Sequence, residues 1–210
     1  MKKLLVLLSI FLSLGCSSVK LIDSWKNPET PVFKPQKLLV VGVTQNLTSR
    51  KIFEENLKKE FLKRNINAVE SSVVFESTFT DSKKSEEEID KMVSELSEKG
   101  FDAVIITVVK GVEERSSYDP GYYAIGYHWR RFGPYYYRFQ DIYYNPGYYN
   151  EYKVYDVETS IYNLKKDENK SLVWVGAFQI VNPKTITNTV QEYVEAIINQ
   201  LENRGIIPQR

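Results

Sequence analysis

F-D-A-V-I-I-T-V-V, residues 101–109, is the strongest strand signal in this chain of 210 residues. A second run, K-L-L-V-V-G-V at residues 37–43, is nearly continuous in apolar side chains and rich in β-branched residues. Such a run is typical of a strand that is buried on both faces in the middle of a sheet. These two segments therefore predict the core of the fold, and the other elements can be placed around them.

Two amphipathic segments lie between the two strands and predict helices. Thr48 or Ser49 can cap the first helix, which should end near Asn65. Ser85 can cap the second helix with Glu88 at the capping-box position, and Gly100 should end it. Residues 68–75 predict a weaker strand between the helices, so two strand–helix–strand units follow one another and favour parallel strand pairs. The first helix carries its apolar side chains at Ile52, Phe53, Leu57, Phe61 and Leu62.

The remaining segments complete an α/β fold. Val19, Leu21 and Trp25 predict a short edge strand at the start, residues 151–164 and 171–181 predict an antiparallel hairpin, and a final helix should end at Gly205. The apolar face of that helix is formed by Val190, Val194, Ile197, Ile198 and Leu201. The expected fold is a mixed β-sheet with packed helices, in the order β-α-β-α-β-(Tyr-rich insertion)-β-β-α, preceded by a cleaved signal peptide.

Residues 1–15 have the features of a signal peptide. Lys2 and Lys3 precede an apolar run of about eleven residues, which is too short to span a bilayer but fits an exported leader. Residues 12–16, Leu-Ser-Leu-Gly-Cys, resemble the lipobox of bacterial lipoproteins, although Ser13 stands where the commonest lipobox has Leu. The resemblance implies cleavage before Cys16 and acylation of its thiol and new amine. The alternative is an ordinary cleaved signal with an incidental Cys.

The predicted organisation is a signal peptide at 1–15, an acylated Cys and tether at 16–36, and one α/β domain at 37–210. The element order resembles the amino-terminal domain of TolB, the lipoproteins that activate peptidoglycan synthases and the curli-secretion lipoprotein. The chain is also similar to an uncharacterised lipoprotein domain family, through Trp25-Lys26-Asn27-Pro28 and the hairpin motif Leu172-Val173-Trp174-Val175-Gly176. That resemblance implies location and fold, and it carries no catalytic residues.

Residues 113–150 form an insertion with an unusual composition. Thirteen of the fifteen Tyr lie between Tyr118 and Tyr155, and Asp119-Pro-Gly-Tyr-Tyr recurs as Asn145-Pro-Gly-Tyr-Tyr. Tyr and Arg together can bind sugar rings, lipid headgroups or another protein. The alternative is a long hairpin that packs on the domain, or a partly disordered loop. The candidate binding residues are Tyr122, Tyr123, Trp129, Arg130, Arg131, Tyr135, Tyr136, Tyr137, Arg138, Tyr148 and Tyr149.

The sequence offers little for catalysis. Cys16 is the only cysteine and His128 the only histidine, and no phosphate loop, nucleophile elbow or metal-ligand cluster is present. We therefore predict no catalytic residues, metal or cofactor. A cardiolipin synthase of the phospholipase D type needs two His-x-Lys motifs, which this chain lacks. The acidic residues Glu54-Glu55 and 86–88 are expected on solvated helix faces.

Three functions follow from these features. The preferred one is a non-enzymatic lipoprotein, held in the bacterial envelope through lipid on Cys16, that presents its domain to an envelope protein or glycan. Ser17 and Ser18 lack the acidic residues that some bacteria read as a surface-export signal, so the outer membrane facing the periplasm is the expected location. An enzyme acting on envelope lipid or glycan is the alternative, and a purely structural coat protein is the third. A net charge of +1 and export argue against nucleic acid as a partner.

Overall fold

The computed structural model describes residues 17–30, 33–75, 83–114, 132–133, 153–165 and 171–210. Six strands form one mixed sheet in the order β1-β6-β5-β4-β2-β3. β2 runs parallel to both β3 and β4, whereas β4, β5, β6 and β1 pair antiparallel in that sequence. The strands are β1 Val19–Lys26, β2 Leu38–Val43, β3 Ala68–Glu70, β4 Ala103–Glu114, β5 Lys153–Asn163 and β6 Leu172–Val181.

Helices pack on both faces of this sheet, which confirms the predicted fold class. One face of the sheet, which we call the first face, is covered by two helices, and the second face is covered by a third helix. Alternate residues of the strands contribute to the core cluster on each face. The helices are α1 Leu47–Leu62, α2 Ser71–Val74, α3 Glu86–Glu98 and α4 Ile186–Asn203, of which α1 and α4 cover the first face.

β2 is buried along its whole length, as its composition predicts. Leu38 and Val40 enter the first core cluster, while Leu39, Val41 and Val43 enter the second. Burying one such side chain fully contributes about 1.5–3 kcal/mol. The strand therefore fixes both layers of helices at once.

Helix capping is as predicted for α3 but not for α1. The hydroxyl of Ser85 accepts from the Glu88 N–H, and the Glu88 carboxylate accepts from the Ser85 N–H, which is the predicted capping box. In α1 the cap is Asn46, whose side chain accepts from the Ser49 N–H at 2.9 Å. The prediction of Thr48 or Ser49 was wrong because α1 begins two to three residues earlier than those caps would place it.

The strand predicted over residues 68–75 is only three residues long. The chain turns into α2 at Ser71, whose side chain is buried and bonds inward to α1. Its hydroxyl donates to Glu54 Oε1 at 2.6 Å. The insertion is also shorter at its start than predicted, because Glu113 and Glu114 belong to β4.

β1 lies at the edge of the sheet, antiparallel to β6. A bulge between Leu21 and Asp23 moves the later side chains to the other face. Val19 and Leu21 therefore pack on the first cluster and Trp25 on the second. The sequence pattern identified the strand but not this change of face.

Gly176 explains the Trp-x-Gly motif in β6. A Cβ at position 176 would lie 2.5 Å from the Trp174 ring and 2.9 Å from the Phe178 ring. Trp174 is fully buried, so the absent side chain at Gly176 is what lets the indole lie flat along its own strand. The Trp-x-Gly motif therefore allows Trp174 to pack in the core of the first face.

Asp102 joins the segment before β2 to the start of β4. Its carboxylate accepts from the N–H groups of Gln36 and Lys37, both at 2.9 Å, and from Lys165 Nζ at 3.2 Å. Burial alone would raise the pKa of Asp102, but these donors hold it below its ordinary value. A depressed folded pKa means that the carboxylate stabilises the fold above the unfolded pKa of about 3.9, and that this contribution is lost as the pH falls through the folded value.

Asp102→Asn should lower the free energy of unfolding by about 1–3 kcal/mol at neutral pH, because one backbone N–H loses its acceptor. The difference from wild type should shrink as the pH falls through the folded pKa of Asp102. Urea unfolding at a series of pH values measures this, with Asp90→Asn, an exposed carboxylate on α3, as the control. A difference that stays constant down to about pH 3 would contradict the assignment.

Candidate functional site

The candidate site lies at the end of the sheet where β2 stops. Val43, the last residue of β2, pairs with Val108, but β4 continues to Glu114 alongside β5. The longer strands β4 and β5 therefore extend beyond the end of β2, and this extension of β4 has no β2 residue beside it. We call this edge, where β2, β4 and β6 end and β1 and β5 begin, the Val43 end.

A cavity of about 380 Å³ lies over this extension, between the amino-terminal turns of α1 and α4. Its volume falls in the range of small-molecule pockets, about 300–1,000 Å³. Val109, Val157 and Ile180 form its sheet side, while Phe53 of α1 and Val190 of α4 form its walls. The interior is therefore mainly apolar, and its position outside the carboxyl end of a parallel strand is where ligands bind in open α/β sheets.

The rim of the cavity is polar. Asn46 and Thr185 are the caps of α1 and α4, and each accepts from the N–H three residues further along. Lys184 also lines the cavity and is exposed. The site thus has an apolar interior and a polar mouth with one cation.

Three hydroxyl groups form a closed chain beside the cavity. Thr107 Oγ1 lies 2.6 Å from Thr159 Oγ1, which lies 2.6 Å from the Tyr193 hydroxyl. Burial raises the pKa of Tyr193, so its phenol stays neutral at physiological pH. These groups satisfy one another and supply no base.

A buried ion pair supports the wall that α1 provides. Glu54 Oε1 accepts from the Gly42 N–H at 2.9 Å, from Arg50 Nε at 3.1 Å and from the Ser71 hydroxyl at 2.6 Å. Glu54 is completely buried, so its prediction as a solvated helix residue was wrong. A Cβ at position 42 would lie 3.2 Å from a ring atom of Phe53, which is a tight contact, so Gly42 favours the close approach of α1.

Two other acidic predictions hold. Glu55 forms a surface ion pair with Lys59, and its side chain keeps 44% of its surface exposed. Glu86, Glu87 and Glu88 are exposed in the first turn of α3.

The predicted apolar face of α1 was partly wrong, because Leu62 is 46% exposed while Arg50 and Glu54 are buried.

The cavity lining is suited to binding. Among its described residues the ionisable side chains are Arg50, Lys184, Tyr155 and Tyr193, and none is a carboxylate or an imidazole. Arg50 is already held by Glu54 and by Ser71. Within the residues that the structure describes, no group of His, Cys, Asp and Glu could hold a metal ion.

A second buried ion pair lies away from the cavity. Lys110 Nζ donates to Glu158 Oε2 at 2.9 Å, and both side chains are almost completely buried. Nearby, Gln179 donates to Asp156 at 3.0 Å. The alternation of β5 places this polar row opposite Val157 and Ile161, so it belongs to the second face.

The site residues predicted from the sequence lie outside the described residues. This holds for Cys16 and for all the candidate binding residues of the insertion, from Tyr122 to Tyr149. Two residues of the insertion are described. Phe132 is buried with its ring centroid 5.8 Å from that of Tyr162, and a Cβ on Gly133 would lie 3.2 Å from Asp90. This part of the insertion packs on the domain.

Sequence reasoning missed the cavity itself. Gly42 lies at the end of a strand before a helix, as in nucleotide-binding folds, but the further glycines of a nucleotide-binding loop do not follow it. The available signal was a polar residue ahead of each helix, Asn46 before α1 and Thr185 before α4. Nothing local in the sequence shows that these two caps lie across one cavity.

No protein-family model matches the sequence, and a search of curated proteins finds no match. Among solved structures, the chain is similar to the PelC dodecamer from Paraburkholderia phytofirmans, with 9% identity over 87% of this chain and 96% of that chain and a TM-score of 0.44. It is also similar to lipoprotein GNA1162 from Neisseria meningitidis, with 13% identity over 80% of this chain and 99% of that chain and a TM-score of 0.41. Similarities at this level carry no inference about ligand, activity or assembly.

Glu54→Leu should lower the free energy of unfolding by about 3–5 kcal/mol, because it leaves the Arg50 guanidinium buried without its carboxylate. Chemical denaturation measures the change. Glu55→Leu, the same substitution one residue along the helix, is the matched control and should cost less than about 1 kcal/mol. Equal effects of the two substitutions would show that the buried pair does not support α1.

Proposed function

We propose that this protein is a non-enzymatic lipoprotein of the bacterial envelope, anchored through Cys16, that binds another envelope component. The leader supports the anchor through its basic start, its short apolar run and its lipobox-like residues 12–16. The absence of acidic residues at Ser17 and Ser18 supports an outer-membrane position facing the periplasm. Several acyl chains on Cys16 would hold the protein firmly, since each buried methylene contributes about 0.8 kcal/mol.

The observation that carries the proposal is how the chain begins after Cys16. Ser18 donates through its N–H and its hydroxyl to Glu192 at 2.7 and 2.8 Å, and its carbonyl accepts from the Val181 N–H at 2.8 Å. The hydrogen bond from the Ser18 hydroxyl is the main cause that lowers the pKa of Glu192, so the carboxylate is charged at neutral pH. The folded body therefore starts two residues after Cys16, and lipid there would place the Val43 end next to the bilayer.

The insertion also starts and finishes at this end. Glu114, the last residue of β4, pairs with Lys153, the first residue of β5. The Tyr residues next to these two junctions would be held near the membrane, where Tyr and Trp are favoured. The middle of the insertion reaches towards the other end of the sheet, because Phe132 packs on Tyr162, which pairs with Val104 at the start of β4. This supports a binding role close to the anchor for the two ends of the insertion.

Binding is preferred over catalysis because of the groups that the site offers. The described lining of the cavity has apolar side chains, hydroxyls and two cations, which suit recognition rather than proton transfer. No helix among the described residues is both long and apolar enough to cross a membrane. Turnover of envelope lipid or glycan by the purified protein, abolished in His128→Ala, would contradict the proposal.

Cys16→Ala should abolish lipid attachment and release the protein from the membrane fraction. Intact-mass measurement of the wild-type protein should show a chain that starts at Cys16 and carries the added mass of the acyl groups. The Cys16→Ala protein should lack that mass. An unmodified thiol at Cys16 in the wild-type protein would overturn the anchor.

Tyr135→Ser, Tyr136→Ser and Tyr137→Ser combined should weaken cross-linking of the protein to its envelope partner in intact cells. Deleting the whole insertion is a poorer test, because it also removes Phe132 from the core. The control is Lys83→Ser, an exposed residue ahead of α3. Unchanged cross-linking of every adduct in the triple variant would argue against this part of the insertion as the binding surface.

A further inference from the structure

The cavity at the Val43 end and the attachment point of the chain face the same way. β1 begins where β6 ends, since Val19 pairs with Ile180, and Ile180 lines the cavity. Resting on the proposed function, an anchor at Cys16 would bring the mouth of the cavity to the membrane surface. An apolar cavity in that position has lipid as its nearest ligand.

Exposed apolar side chains lie at the Val43 end of the domain. Leu47 is 61% exposed at the first position of α1, and Ile186 is 41% exposed at the first position of α4. Val73, in the short helix that follows β3, is 70% exposed. Three of the five exposed large apolar side chains of the described residues thus lie at this end, where contact with a bilayer would cover them.

The lining matches an amphiphile with one apolar chain. Val109, Val157, Ile180 and Val190 offer an aliphatic interior that a hydrocarbon chain can fill. Lys184 stands at the polar rim, where an anionic or zwitterionic headgroup would remain. A nucleotide is a poor match, because the loop from residue 44 to the cap Asn46 contains no glycine to cradle a phosphate.

The lipid on Cys16 itself is a weaker occupant than a bilayer lipid. Ser17 and Ser18 are bonded to Glu192, which lies on the β1 side of α4. Thr189, Val190 and Tyr193 of the same helix line the cavity. At 3.6 residues per turn, Glu192 is about 160° around α4 from Val190 and about 100° from Tyr193, although only about 60° from Thr189. The attachment point is therefore offset from the aliphatic part of the cavity that Val190 lines.

We propose that this cavity binds one acyl chain of a bilayer phospholipid, with the Val43 end of the domain seated on the membrane. The lipid enters between the first turns of α1 and α4, its headgroup stays at the rim near Lys184, and its chain lies along β4, β5 and β6. The protein then recognises the membrane in two ways, through its own anchor and through a captured lipid.

The test uses the full mature chain purified from membranes and reconstituted into vesicles of phosphatidylethanolamine and phosphatidylglycerol. The probe is a phosphatidylcholine with a diazirine in its acyl chain, present as a minor component. After illumination, mass spectrometry locates the label, which should lie on peptides containing Val109, Ile180 and Val190. Because only bilayer lipid carries the diazirine, the lipid on Cys16 cannot give this signal.

Val190→Trp fills the cavity and should reduce labelling of these peptides by about tenfold, which corresponds to a loss of about 1.4 kcal/mol in binding. Val93→Trp, the same change at a half-buried position of α3 on the opposite face, should leave labelling as in wild type. Label in the wild-type protein confined to residues outside the cavity would overturn the proposal, and so would equal labelling of the wild type and Val190→Trp. The wild-type result needs no variant, so a folding defect in Val190→Trp cannot decide the outcome.

The intact mass of the same preparation reports the lipid on Cys16 separately. An acylated Cys16 without label in the cavity would overturn the captured lipid and leave the anchor standing. An unmodified Cys16 would overturn the anchor, and label in the cavity would in that case still support the captured lipid.

Discussion

The burial of β2 on both faces is the constraint on which this structure depends. A strand with apolar side chains on both faces requires a layer of helices on each face of the sheet. Its two neighbours, β3 and β4, are parallel to it, so the carboxyl ends of all three strands lie at the same end of the sheet. The first turns of α1 and α4 then meet over the extended part of β4, β5 and β6. The cavity follows from a difference in strand length: β2 has six residues and β4 has twelve.

The ion pair between Arg50 and Glu54 shows how the chain holds that arrangement. A buried carboxylate is costly unless its oxygens are bonded, and Glu54 receives donors from β2, from α1 and from the start of α2. It therefore connects three elements of the fold through one carboxylate. Gly42 has no side chain, which favours the close approach of α1 to β2 beside this network.

The sequence predicted correctly those elements that are determined by residues close together in the chain. The apolar run of β2, the capping box at Ser85 and the hairpin around Trp174 were read correctly, because each depends on neighbours in the chain. The sequence failed where distant groups decide the outcome. Glu54 has the pattern of a surface residue, and its burial depends on donors that include the distant groups of Gly42 and Ser71. The bulge in β1 and the cavity likewise depend on strands far apart in sequence, and the predicted binding residues of the insertion lie outside the described structure.

The hydrogen bonds from Ser17 and Ser18 to Glu192 have a consequence for how such a domain would meet other molecules. A lipoprotein with a long linker explores a wide volume above its membrane. If Cys16 carries the proposed lipid, this body is fixed two residues from its anchor and has almost no reach. Partners in the same leaflet would then be met by lateral diffusion in two dimensions, at a high effective concentration. Partners beyond the first layer of the periplasm would have to approach the membrane themselves.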